Sequence, residues 1–190
     1  SPLTTISNNE RVSRLVKRLI KADLAYYSVH TSFDTYHKGS NYILAKKLGL
    51  KIEKPLAIHH TDKQIGIGAI CSIAQSINSH QLIEKVNQTL NTNSKHNGVV
   101  IDSISKIAIV AGSGMSFYNN VINAQAQAFI TADMSYHDFH RADGKILMID
   151  AGHYQTEQWI AENMFNVFKS KIQKGINWNL SLINTNPVEL

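Results

Sequence analysis

The sequence predicts an α/β fold, with mixed sheets flanked by helices. Three observations carry that prediction. Apolar runs of strand length, KIAIVA at 106–111, AFITAD at 128–133 and ILMIDA at 146–151, alternate with segments of helical periodicity. Apolar residues make up 43% of the 190 and charged residues 17%, enough to bury a core and too apolar for a disordered chain. Three Pro and ten Gly leave no room for a linker-dominated or collagen-like chain.

The elements follow in order. Asn8 or Asn9 can cap a first helix whose Val12, Leu15, Val16, Leu19 and Ile20 fall at the spacing of one amphipathic face. Leu24 to His30 (LAYYSVH) is a β-type run that ends in a polar loop, Thr31 to Gly39. A short helix starts at Ser40, turns Ile43, Leu44 and Leu48 inward, and stops at Gly49. Residues 50–76 read as β-rich, and the glycines of IGIGAI at 65–70 mark a bulge or a close backbone approach. Ser79 can cap a helix carrying Leu82, Ile83, Val86 and Leu90.

Asn91 to Gly98 (NTNSKHNG) is the clearest loop and the best boundary between lobes, approximately 1–60 and 98–190 with 61–97 connecting them. The second half then reads strand 106–111, a Gly112-Ser113-Gly114 turn and a helix at 115–126. A strand at 128–133, a polar loop or short helix at 134–143 and a strand at 146–151 come next. A helix from about Tyr154 to Lys174 buries Trp159, Ile160, Met164, Val167, Phe168 and Ile172, and Gly175 ends it. Ile176 to Asn184 alternates like a half-buried strand.

Chemistry-bearing residues gather where strands end, which is where open α/β sheets place ligands. His153 and Glu157 are four apart and share a helix face just after a strand and Gly152. They read either as a chelating pair or as a helix start with Glu157 serving the macrodipole. In HTSFD at 30–34, Asp34 offers a hard oxygen to a metal or simply makes a turn. In TADMSYH at 131–137, Asp133 and His137 can orient ligands or handle protons, or are loop polarity. The Gly112-Ser113-Gly114 turn can present N–H groups to an anion or merely tighten a strand–helix connection. His59-His60 could reach one metal from a loop but not from a strand, whose neighbours face opposite sides. Cys71 lies in an apolar strand as an inert core thiol.

The net charge of +5 is spread over helix faces without interleaved aromatics, which argues against nucleic acid. One cysteine allows no internal disulfide and points to a reducing, cytoplasmic setting. No apolar run reaches the roughly 18–20 residues of a membrane span, and the first residues lack the order of a signal peptide.

Taken together and in order, HTSFD at 30–34, GSNYILAKKLGL at 39–50, AGSG at 111–114, AFITADMSYH at 128–137, LMIDAGHYQTE at 147–157 and INTNPV at 183–188 resemble the Nif-three-like family. That family is also described as GTP cyclohydrolase I type 2 homologues or dinuclear metal-centre hexameric proteins. The resemblance covers essentially the whole chain. It implies one domain over 1–190 made of two similar α/β lobes, assembled as a toroidal homohexamer. It also implies two divalent metals per subunit (Zn, Fe or Mn) in the cleft between the lobes. By motif, Asp34, His153 and Glu157 correspond to metal ligands, with Glu157 as the bridging carboxylate. Ala111 and Ala132 stand where the family more often has Gly. The family takes two further ligands from an adjacent His-His pair upstream of the first helix. His59-His60 follows HTSFD and is not that pair. Two expectations follow: a chain lacking the N-terminal segment of a longer protein, which is favoured because that segment should also supply strands to the sheet, or a reduced and inactive relative.

The function implied is a metal-dependent hydrolase acting on a nucleotide. In a GTP cyclohydrolase-type reaction, a metal-activated water attacks the imidazole carbon of guanine, the ring opens and formate leaves. His137 is the candidate proton shuttle. The alternatives are a non-catalytic, metal-binding toroidal scaffold and an anion-binding α/β module using the glycine turn.

Overall fold

A computed structural model describes residues 5–58, 65–172 and 175–188. His59-His60 lies outside the described residues. The chain divides into two units, residues 1–30 and 31–190.

Among the described residues, the first unit holds one helix, α1 (Arg11–Lys21). Its N-cap is Glu10, with no side-chain cap bond, and neither Asn8 nor Asn9 takes that place. The two asparagines serve α1 differently: Arg14 donates to both of their carbonyls, and Lys17 Nζ donates to Asn8 Oδ1 at 2.7 Å. The apolar stripe stays largely uncovered, with Val12, Leu15 and Ile20 exposed and only Ser13 buried. The run Leu24 to His30 is not a strand, and Tyr26 and Tyr27 are exposed. β-forming side chains favour extended backbone, but a strand exists only where a neighbour takes up its N–H and C=O groups.

The second unit runs α2 (Thr31–Asp34), α3 (Ser40–Lys47), β1 (Lys51–Ile58), β2 (Gly66–Ile77), α4 (Ser79–Leu90) and β3 (Lys95–His96). It continues with β4 (Ile104–Ser113), a 3-10 turn (Met115–Phe117), α5 (Tyr118–Asn123), β5 (Ala128–Ala132) and α6 (Tyr136–Arg141). It closes with β6 (Leu147–Asp150), α7 (His153–Glu157) and α8 (Ile160–Lys171). No described helix is long and apolar enough to cross a membrane.

Six strands form one mixed sheet in the order β1-β2-β4-β5-β6-β3. β4, β5 and β6 are parallel, with Ile109 opposite Ile130 and Ile130 opposite Ile149. β1, β2 and β4 pair antiparallel, and β3 adds two residues antiparallel to β6. On the outer strand β1, the register shifts between Ile52 and Lys54, Pro55 follows, and Lys51 and Lys54 are exposed.

Two-residue periodicity explains why the central strands read as continuous apolar runs: both faces are covered. Ile107, Ile109, Ile130, Leu147 and Ile149 face a core closed by Leu44 of α3, its C-cap Leu48, and Leu82, Val86 and Leu90 of α4. Ala108, Val110, Phe129 and Met148 face the other way, against Tyr118 and Val121 of α5 and Ala142. Cys71 is fully buried in the first of these cores.

Four local expectations need correction. Asn78, not Ser79, caps α4. Its side chain accepts from Gln81 N at 2.9 Å and Gln81 Oε1 accepts from Asn78 N at 2.9 Å, which ties up two N–H groups at the helix start. The segment after the glycine turn is a 3-10 turn followed by the six-residue α5 rather than one helix. The helix from 154 to 174 is two helices, because the chain turns at Gln158–Trp159 where Trp159 packs against the core. α8 then buries none of its residues, and Phe168 and Ile172 are exposed. Ile176 to Asn184 forms no strand, and its apolar residues Ile176, Leu182 and Ile183 are exposed.

Candidate metal centre

The parallel strands β4, β5 and β6 all run out at one end of the sheet. Gly112, Asp133 and Asp150 stand at or just beyond their last residues, and α7 starts three residues after Asp150. Gly152 has φ +86, a left-handed backbone that a side chain resists, so it turns the chain from β6 straight into α7. The four-residue spacing on α7 then brings His153 and Glu157 together, with Nε2 and Oε2 3.3 Å apart. On the other edge of the ring, His153 Nδ1 lies 2.7 Å from Asp133 Oδ2. The imidazole is thus held between two carboxylates.

The backbone below this group is clamped. Gly112 has φ +66. Its N–H donates to Thr156 Oγ1 at 2.9 Å, and its carbonyl accepts from Thr131 Oγ1 at 2.8 Å. Thr156 Oγ1 in turn donates to the carbonyl of His153 at 2.9 Å. Asp150 joins two loops: its carboxylate accepts from Met134 N at 2.9 Å and from Gly152 N at 3.1 Å. The Gly112 N–H is given to Thr156 and so is not offered to an anion.

Asp34 arrives from another part of the chain. It ends α2, is half-buried, and its Oδ1 accepts from Ser40 Oγ at 2.7 Å. Asn41 ties that loop to the sheet: Nδ2 donates to the Asp34 carbonyl at 3.1 Å, and Oδ1 accepts from Ala111 N at 2.9 Å. The charge of Asp34 is felt at Glu157.

Burial raises the Glu157 carboxyl above its ordinary value; the positive His153 opposes this, and the negative Asp34 and Asp133 add to it. Burial works to lower His153. The hydrogen bond to Asp133 and the charges of Glu157 and Asp133 together outweigh it and leave His153 raised. Such a group holds a proton where a cation would otherwise sit, so a metal would compete with that proton.

The donor set suits a divalent ion. Two ligands about 2.1 Å from a tetrahedral ion stand about 3.4 Å apart, close to the 3.3 Å between Nε2 and Oε2. The carboxylate on the far nitrogen is the usual partner of a ligating histidine. Among the described residues, no three His, Cys, Asp or Glu side chains are already gathered as a metal cage. What is gathered is one nitrogen–oxygen pair, oriented by Asp133, with the charge of Asp34 beside it.

The group opens on a cleft of about 1370 Å³, whose lining includes Asp133, Asp150, His153, Glu157, Asn184 and Asn186. Of the residues singled out from sequence, the structure brings together Asp133, His153 and Glu157; Asp34 acts on Glu157 by its charge but does not line this cleft. His137 sits on the first turn of α6, exposed, its ring edge-on to Tyr136 at 5.4 Å, and does not line this cleft. Sequence reasoning missed the supports Asn41, Thr131, Asp150 and Thr156. All four lie inside the quoted motifs, but their roles depend on partners elsewhere in the chain. Asn41 pairs with a residue seventy positions away, and no spacing rule reaches that far.

A sequence model of the family described as Duf34/NIF3 (NGG1p interacting factor 3) matches residues 1–187. The chain is similar to a Nostoc protein named "GTP cyclohydrolase 1 type 2 homolog", 28% identical over 90% of this chain and 65% of that protein. Proteins of the same name from Streptomyces coelicolor and Clostridium perfringens are 30% and 27% identical. Those matches cover 81% and 98% of this chain and 56% and 72% of the respective relatives. The chain therefore spans less than two thirds of the first two relatives. Among solved structures, a Bacillus cereus protein related to NIF3 superposes with TM-score 0.90 at 18% identity, over 100% of this chain and 80% of that one. A hypothetical protein of Staphylococcus aureus superposes with TM-score 0.88 at 21% identity, over 100% and 76%. At these identities the likeness is one of fold.

Proposed function

The chain belongs to the Duf34/NIF3 family, and from that premise we propose that it binds divalent metal through His153 and Glu157, with Asp34 as a further carboxylate, and hydrolyses a nucleotide. The observation that carries the reading is the separation of 3.3 Å between His153 Nε2 and Glu157 Oε2 on α7, over a cleft at the ends of three parallel strands. When bound, such an ion polarises a water and the substrate atom that the water attacks. The chain's own part is to hold. Asp133 keeps the imidazole in place, Thr156 and Thr131 fix the turn under Glu157, and Asn41 fixes the loop of Asp34. The cleft of about 1370 Å³ is large enough for a nucleotide. Zinc, iron and manganese all suit these donors. Two ions per subunit and a toroidal homohexamer belong to the same proposal, from the family resemblance.

A second reading, metal binding without catalysis, is favoured by the position of His137. The proton shuttle that the hydrolase reading assigned to it does not line the cleft. Elemental mass spectrometry of the purified chain and of His153→Ala, followed by formate release from GTP, separates the two. Metal in the chain, lost in His153→Ala, together with metal-dependent formate release, supports the hydrolase. Metal without turnover supports the scaffold. No metal in the chain after incubation with zinc, iron or manganese sinks both.

A further inference from the structure

We propose that Asp133 is a positioning residue that decides which nitrogen of His153 carries the proton, and so keeps the chelating edge of the ring open. The inference rests on the metal reading of His153 and Glu157. It starts from a competition. A neutral imidazole has one N–H, and His153 has a carboxylate at each nitrogen: Asp133 Oδ2 2.7 Å from Nδ1, Glu157 Oε2 3.3 Å from Nε2. If the proton sat on Nε2, the ring would donate it to Glu157, and the two intended ligands would satisfy each other. The shorter contact takes the proton to Nδ1. The Nε2 lone pair is then left facing the oxygen with which it would share an ion.

The backbone shows that the Asp133 position is held. Its φ is +58, the left-handed region, which few side chains besides Asn and Asp visit. The chain is bonded on both sides of it: Met134 N donates to Asp150 Oδ2 at 2.9 Å, and, two residues before, the Thr131 carbonyl accepts from Ala151 N at 2.8 Å. The turn after β5 is thereby tied to the turn after β6, which carries His153. Asp133 is half-exposed and uses its reach on the imidazole.

The test uses the whole chain, zinc as the probe, and three variants. Asp133→Gly removes the carboxylate while tolerating the positive φ, so it folds where Ala there would be strained. Asp133→Asn keeps an acceptor for Nδ1–H. His153→Ala tests the ligand itself. Nitrogen-15 spectra of the metal-free imidazole at about pH 9, above the ordinary histidine range, read the tautomer directly. Expected are Nδ1–H in the parent and in Asp133→Asn, and Nε2–H in Asp133→Gly. Zinc affinity should fall about 10–100-fold in Asp133→Gly and only a few-fold in Asp133→Asn. Nε2–H in the parent, or Nδ1–H persisting in Asp133→Gly, overturns the proposal. So does unchanged zinc affinity in Asp133→Gly beside lost binding in His153→Ala. Zinc binding that survives His153→Ala instead overturns the underlying metal reading, and the spectra still decide the role of Asp133.

Discussion

Gly112 lies directly beneath the Glu157 carboxylate: a β-carbon built on it would stand 2.5 Å from Glu157 Oε1 and 3.1 Å from His153 Nε2. Gly112→Ala therefore acts twice. It places a side chain at φ +66, at a cost of about 1 kcal/mol, and it pushes the carboxylate aside. Urea unfolding should show the lost stability, and zinc titration a fall of tenfold or more. Zinc affinity that stays at the parent value would remove Glu157 from the ligand set.

Thr131 holds the same peptide from the other side. Its buried hydroxyl donates to the Gly112 carbonyl. Thr131→Val keeps the shape and leaves that carbonyl without a donor, for a loss of about 1–3 kcal/mol. Thr131→Ser should recover most of it. Denaturant midpoints of the three proteins check the order; a valine variant as stable as the parent would mean that the bond contributes nothing net.

Asn41 connects Asp34 to the sheet by two bonds of opposite sense. Asn41→Ala loses both, and about 1–3 kcal/mol is expected because the Ala111 N–H is left buried and unpaired. Asn41→Asp keeps the acceptor for Ala111 N but loses the donor to Asp34. It should lower zinc affinity more than stability. Equal zinc affinity in parent and Asn41→Asp would show that Asp34 needs no such anchor.

Cys71 is buried, and burial pushes its thiol from an ordinary 9.0 up to about 12. The thiolate, not the thiol, reacts. A disulfide-exchange reagent at neutral pH should label Cys71 only at the rate at which the chain opens, accelerating with urea. The linkage has one sign. The folded value is above the unfolded one, so this stability is present in full below about pH 9 and declines as pH rises toward about 12. Prompt labelling of folded protein would contradict the burial.

Ser135 and Asp138 form the capping box of α6. Hydrogen bonds from Ser135 are the main cause that holds Asp138 below its ordinary 3.8. Ser135→Ala should cost about 1 kcal/mol near neutrality. The folded carboxyl is lowered, so the stabilisation is present above the unfolded value and lost as pH falls through the folded one. The gap between parent and variant should therefore narrow below about pH 4. A gap independent of pH would show that Asp138 takes no part.

What could be read from the chain was local. His153 and Glu157 are visible as a pair because one helical turn brings them together. β4, β5 and β6 are visible because strands buried on both faces are apolar throughout. Asn41 is invisible, since its partner Ala111 becomes a neighbour only through folding. Leu24–His30 and Ile176–Asn184 have the side chains of strands, yet neither segment is a strand here, because side-chain propensity alone does not make one. The break at Trp159 reflects a tertiary preference, its packing against the core, that helical periodicity cannot register. His137 shares a motif with Asp133, yet α6 starts between them and sets it against Tyr136.

The outer strands of the sheet carry a last consequence. An unpaired row of N–H and C=O groups invites a second chain to continue the ladder, which is how sheets aggregate. β3 offers two residues, too few to template such growth. β1 carries a bulge and then Pro55, which has no N–H to give, with two lysines beside it. Over the described residues, neither outer strand offers a long flat edge for a second chain, and concentrated solutions should resist passing into cross-β fibrils.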